Sequence, residues 1–258
     1  MKQILILLLL ALVAPALAAQ DLHTLQDLQT RLERADSSEK ALNDKLAYEL
    51  YMGVLSRYPT NATALIKASL LADRLGNRLI NDKENRNKWY RQAHKLAQKA
   101  VDLYPNSADA HFTISVSLGR VALMSSGRTL VDAVRKIKYH ADRAIELEPN
   151  DFKAYHVLGR WYYEIANLGA FKRAAVRVFF GSLPEASFEL SRDAYEKSRE
   201  LNPGFNLTYL ELAKVYDALD QRDKAIEYLK KLEKLPPTIE DDARIKEEGR
   251  NLLRNWTS

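Results

Sequence analysis

The sequence contains no cysteine. That excludes disulfides, thiol catalysis and lipid attachment through a first mature cysteine, so stability has to come from packing alone. Beyond the first twenty residues no apolar run approaches the ~20 residues that a membrane-spanning helix needs, so no stable span is expected. Strict apolar–polar alternation between hairpin turns is missing as well, which removes strands from the expected fold. There is no glycine-rich phosphate loop and no G-x-S-x-G nucleophile turn. The five histidines, His23, His94, His111, His140 and His156, form no H-E-x-x-H or other close ligand pattern. These absences argue for a non-enzymatic protein with no metal and no cofactor. The formal net charge is only +5, with no dense basic run interleaved with aromatics, so no nucleic-acid partner is expected.

What is present begins with an export signal. Lys2 supplies a positive start, Ile4 to Val13 form an apolar core, and Ala16-Leu17-Ala18 gives the small-x-small pattern of a cleavage site. The expectation is a signal peptide over 1–19, a mature chain starting at Ala19 or Gln20, and a single domain over 20–258 that is periplasmic or secreted.

The rest of the chain is punctuated by a recurring helix stop, in which the chain turns at proline and a new helix is capped. It reads Tyr58-Pro59-Thr60-Asn61, Tyr104-Pro105-Asn106, Glu148-Pro149-Asn150 and Asn202-Pro203-Gly204. Pro203 and Pro237 are 34 residues apart, the period of a tetratricopeptide repeat. In that register Tyr209, Leu212, Ala213 and Tyr216 fall on the signature of the first (A) helix, and Ala225 and Leu229 on that of the second (B) helix. Tyr155, Leu158, Gly159 and Tyr162 repeat the A signature one unit earlier. The earlier proline intervals are longer, which implies extended helices or an insertion between A and B. Ala93, Ala100 and Ala144 sit where a B helix must be small to let neighbours approach.

The spacing predicts helices over 22–34, 39–57, 62–76, 84–104, 108–124, 128–147, 152–167, 170–180, 186–201, 206–219, 222–234 and 239–255. The expected fold is all-α, a right-handed tetratricopeptide-like solenoid of antiparallel helix pairs. Its last unit covers about 206–237, and a capping helix over 239–255 covers the open apolar face. Glu240-Asp241-Asp242 at the start of that cap is read as complementing the helix dipole. Asn61, Asn206 and Asn255 stand in Asn-x-Thr sequons; at Asn61 and Asn206 the expected role is helix capping. Trp161, Tyr162, Phe171, Phe179 and Phe180 form the densest aromatic cluster, expected to pack beneath the inserted helix. That insert carries Leu168, Phe171, Ala175 and Val178 on one side and Lys172, Arg173 and Arg177 on the other.

Between residues 156 and 205 the text becomes more specific. His156-Val157-Leu158-Gly159-Arg160-Trp161-Tyr162-Tyr163-Glu164-Ile165-Ala166, then Phe171-Lys172-Arg173, Phe179-Phe180-Gly181-Ser182-Leu183-Pro184-Glu185-Ala186 and Leu201-Asn202-Pro203-Gly204-Phe205 resemble the regulator of microtubule dynamics family. Ile239-Glu240-Asp241-Asp242-Ala243 through Leu252-Leu253 resembles that family's final capping helix. The resemblance covers about residues 40–254. It implies a superhelix of tetratricopeptide-like repeats without enzymatic activity and with a protein-binding role. In animals such proteins are linked to microtubules and organelle contacts. This chain differs in carrying an export signal, which fits a bacterial, periplasmic relative.

Repeat arrays of this kind bind extended or helical peptides on the concave surface made by successive A helices. The register puts Lys153, His156, Arg160 and Tyr163 on that surface, joined by Phe112, Val116, Arg120 and Lys214 from neighbouring units. A basic and aromatic groove suits an acidic or carboxylate-ended protein or peptide partner. The same charge also fits a peripheral adaptor that holds membrane or cell-envelope polymer.

Overall fold

The computed structural model describes residues 24–169 and 183–257, together with positions 174, 176, 178, 179 and 181. The expected signal segment lies outside these residues, as does most of the expected helix at 170–180. Among the described residues there are eleven long helices and no strand: α1 (24–40), α2 (Asp44–Arg57), α3 (Ala62–Asn77), α4 (Lys83–Leu103), α5 (Ala108–Leu123), α6 (Gly127–Leu147), α7 (Phe152–Ala166), α8 (Phe188–Leu201), α9 (Asn206–Ala218), α10 (Arg222–Lys234) and α11 (Asp242–Thr257). None of them is long and apolar enough to cross a membrane.

Each helix packs on the next, giving antiparallel pairs α3/α4, α5/α6, α7/α8 and α9/α10. The A helices also touch in series, α3 with α5, α5 with α7, α7 with α9 and α9 with α11, while the B helices lie behind them. This is a tetratricopeptide-like solenoid. Its apolar core falls mainly into two clusters, one running from α1 to α7 and the other from Tyr195 on α8 to α11.

The repeat is visible in hydrogen bonds as well as in packing. Tyr155 and Tyr209, fourth residues of α7 and α9, donate their hydroxyls to the carbonyls of Pro149 and Pro203 at 3.2 and 2.8 Å. His111 occupies the same place in α5, and its Nε2 lies 3.0 Å from the Pro105 carbonyl. A ring donor therefore ties each of these A helices to the turn that enters it. Asn61, Ser107, Asp151 and Ser187 cap α3, α5, α7 and α8 by accepting first-turn N–H groups. The small residues foreseen in the B helices, Ala93, Ala100 and Ala144, are all fully buried.

Four expectations need correction. The first helix does not end at 34. Ser37 and Ser38 direct their hydroxyls back to the carbonyls of Glu33 and Arg34, which keeps them helical, and α1 ends only before Leu42, at φ 58°, and the cap Asn43. Asn206 is not a cap. It is fully buried and donates its amide to Pro236 O and Asp242 Oδ2, stitching α9 to the turn before α11. Phe179 is 71% exposed rather than in the core. Leu168, Leu183 and Ala186, on either side of the insert, pack there instead, with Trp161 buried beside them and donating to Val134 O at 2.8 Å. Finally, Glu240 and Asp241 do more than complement a helix dipole. They reach Arg78 at the end of α3, so that the first and last units of the array meet.

Candidate functional site

The register brings the candidate residues onto one run of A helices: Phe112, Val116 and Arg120 on α5, Lys153, His156, Arg160 and Tyr163 on α7, and Lys214 on α9. The structure adds carboxylates that the sequence reading did not include. Every successive pair of A helices is joined by an ion pair between them. Lys67 and Arg74 of α3 bind Glu39 of α1. Arg120 of α5 donates two bonds to Asp73 of α3, at 2.7 and 2.9 Å. Lys153 of α7 pairs with Asp109 of α5, and with Asp151 at 3.4 Å. Arg160 of α7 meets Glu211 of α9 at 3.0 Å, and Lys214 of α9 meets Glu248 of α11 at 2.8 Å. The result is a ladder of charges across the face that the A helices form.

Burial decides what these charges can do. Burial alone would pull the Lys153 and Lys214 ammonium groups down, but their carboxylate partners hold both above the usual lysine range. Glu211 is buried, which would raise its pKa, yet Lys214 and Arg160 hold it below the usual carboxylate range. Arg120 is spent on Asp73 and lies 5.5 Å over the Tyr90 ring. Arg160 differs from the rest of this set. Its side chain is 52% exposed, and besides Glu211 it pairs with the equally open Glu164 one turn away, at 2.6 Å. An incoming carboxylate can take the place of Glu164 at small cost, because an exposed i,i+4 pair contributes only ~0.3–0.5 kcal/mol.

Aromatic faces stand beside the cations. Lys153 lies 5.3 Å over the Phe112 ring, and Tyr163 contacts Phe188 at 5.5 Å between centroids. His156 is wedged between Tyr195 and Phe205, both at 5.1 Å, and its Nδ1 is bonded to Thr208 Oγ1 at 2.9 Å. His156 is therefore structural in part. Among the described residues no three His, Cys, Asp or Glu side chains group where they could hold a metal.

Two histidines make the fold sensitive to acid. His156 is lowered from 6.5 to about 4, chiefly by burial. His140 is lowered to about 4 by burial, by His111 and by Lys136. His111 Nε2 donates to Pro105 O, so its Nδ1 accepts, and His140 Nδ1, 2.8 Å away, is the donor between the rings. In the unfolded chain both groups take up protons near pH 6.5; in the folded chain they resist until about pH 4. Stability is thus complete above pH 6.5 and falls as pH drops from 6.5 towards 4. Urea unfolding at pH 5 is expected to show a loss on the order of 4 kcal/mol relative to pH 7, about 2 kcal/mol from each histidine. A His140→Gln/His156→Gln variant should lose most of that slope, and an unchanged slope would show that other groups set it.

A family model described as regulator of microtubule dynamics protein 1-3 matches residues 30–257. The Bos taurus regulator of microtubule dynamics protein 1 is 26% identical over 234 residues, covering 90% of this chain and 73% of its own length. The Rattus norvegicus regulator of microtubule dynamics protein 3 is 25% identical over 241 residues, covering 88% of this chain and 49% of its own. This chain therefore spans about three quarters of the one and about half of the other. Among solved structures, a thermophilic tetratricopeptide-repeat protein of Thermus thermophilus aligns with a TM-score of 0.64 at 12% identity. The alignment covers 87% of this chain and 99% of that one. At that identity the likeness concerns the fold.

Proposed function

We propose, for a chain that belongs to the regulator of microtubule dynamics protein 1-3 family, a function as a non-enzymatic protein-interaction scaffold that binds an acidic or carboxylate-ended segment of a partner on its A-helix face. The observation that supports this best is the surroundings of Arg160. It is an open guanidinium on the central A helix, with the Tyr163 side chain one turn further along. A guanidinium grips a carboxylate through two parallel bonds, and flat rings beside it shelter the pair from water. Arg160→Ala and Lys153→Ala are each expected to weaken a peptide partner by about 1–3 kcal/mol. Titration calorimetry with a purified partner segment checks this, and wild-type affinity in both variants would move the site off the A-helix face.

The export signal gives the second half of the proposal. An exported chain acts in the periplasm or outside the cell, where it does not meet cytosolic tubulin. The names of the relatives favour the competing reading, a regulator of microtubules. N-terminal sequencing of protein recovered from the native compartment separates the two. Export predicts a chain beginning at Ala19 or Gln20, and retention of Met1 would remove the exported reading.

A further inference from the structure

The turn between α10 and α11 makes contacts that neither repeat packing nor helix capping requires. Asp242 closes the turn itself, accepting from Ile239 N–H and Thr238 Oγ1 at 3.0 Å each. Glu240 and Asp241 leave it and reach across the array to Arg78, the residue just after α3. Arg78 Nε donates to Asp241 Oδ1 at 2.9 Å, and its Nη1 lies 3.1 Å from Glu240 Oε1. The second oxygen of Glu240 accepts the backbone N–H of Asp44 at 2.8 Å. Arg78 also binds the buried carboxylate of Asp44, which Arg74 approaches at 3.3 Å, and Arg244 stands 3.7 Å from Asp241. Three guanidinium groups and three carboxylates thus meet at a seam between residues as far apart as 44 and 240.

Around Glu240 and Asp241 this is the geometry of a receptor: a guanidinium fork and a backbone N–H converge on two carboxylates carried by a non-helical turn. We propose that Arg78 and the Asp44 N–H form a binding site for an acidic Glu-Asp segment, that residues 240–241 fill it in the closed array, and that an acidic segment of a partner protein enters by displacing them. The proposal rests on the reading of this chain as a peptide-binding scaffold but concerns a site separate from Arg160. A tethered occupant competes at an effective concentration of about a millimolar, so an incoming segment of moderate affinity is held off until the turn releases. The turn can release without unfolding α11, because α11 packs on α9 and α10 independently of the seam.

The absence of native cysteine permits a direct test. Cysteines introduced at the exposed Glu49 on α2 and Asn251 on α11 carry spin labels, and a fluorescent peptide copying residues 236–246 serves as probe. In the full chain Glu240→Gln/Asp241→Asn is expected to lengthen or broaden the Glu49–Asn251 label distance. The same variant should bind the probe at least tenfold more tightly than wild type. Adding Arg78→Gln should abolish that gain, and a probe carrying the same Gln and Asn replacements should not bind, which keeps the test intact if the Arg78 variant folds poorly. An unchanged label distance together with unchanged probe binding would overturn the latch, whereas tighter binding at an unchanged distance would show that the turn leaves while α11 stays in place. A lengthened distance without tighter binding would overturn the receptor. Neither result bears on Arg160, so failure here is distinguishable from failure of the scaffold reading.

Discussion

Replacing Gly159 with leucine is expected to lower the unfolding free energy by about 3 kcal/mol or more, and alanine alone by about 1–3 kcal/mol. Gly159 lies in the middle of α7, facing α8. A Cβ built on it would stand 2.6–2.8 Å from Cγ, Cδ1 and Cδ2 of Tyr195, distances that real Cβ atoms do not reach. The ring cannot step aside, because Tyr195 is fully buried and lies edge-on to His156 at 5.1 Å. Separating the helices is no easier: Ser191 Oγ donates to the Gly159 carbonyl at 2.7 Å, a bond that exists only while α7 and α8 stay close. The contact also joins the two apolar clusters of the array, since Tyr195 begins the second and α7 ends the first. Loss of it should therefore lower the cooperativity of unfolding as well as the midpoint. Thermal and urea unfolding of Gly159→Ala and Gly159→Leu check this, and a wild-type midpoint in the alanine variant would mean that the helix pair has room the geometry denies it.

The same residue shows what a sequence can reveal here. Gly159 was legible because the repeat imposes a small residue at the eighth place of the A helices from α3 to α9, where the others carry Ser69, Ser115 and Ala213. Prolines and caps were legible for a similar local reason, since a turn and an N-cap are specified within a few residues. The Ser37-Ser38 stretch misled because serine hydroxyls serve a helix interior as readily as a turn, and only the tertiary setting of Ala35, fully buried, decides between them. The candidate face was half legible. Register places Lys153 and Arg160 on it, but their partners Asp109 and Glu211 lie on other helices 44 and 51 residues away. One signal was available: Asp109 and Lys153 are both the second residue of an A helix and carry opposite charge. The contact of Arg78 with Asp241 spans 163 residues and depends on the accumulated twist of the whole array, which no local pattern encodes.

Removing the Arg120 guanidinium is expected to cost about 2–4 kcal/mol, which makes Arg120 a residue of the fold before it is one of a binding face. Its partner Asp73 is almost fully shielded from water, with 8% of its side chain exposed, and takes two bonds from one planar group. Deleting one member of such a pair strands the other charge in a poorly solvated place, and breaking a buried pair typically costs about 3–5 kcal/mol. The partial exposure of Arg120 moves the expectation to the lower side of that range. Arg120→Lys keeps the charge but loses the planar fork and the stacking over Tyr90, so an intermediate loss of about 1–2 kcal/mol is expected. A double-mutant cycle with Asp73→Ala gives the decisive measurement, because the doubly substituted chain no longer strands a charge. Its loss should fall short of the sum of the two single losses by more than about 1 kcal/mol, well beyond the ~0.5 kcal/mol within which independent sites add. Strict additivity would show that the two side chains do not act together, and Arg120 would then be free to serve a ligand. Coupling of the expected size instead ties Arg120 to the contact between α3 and α5, whereas Arg160 keeps an exposed side that a partner reaches by displacing Glu164.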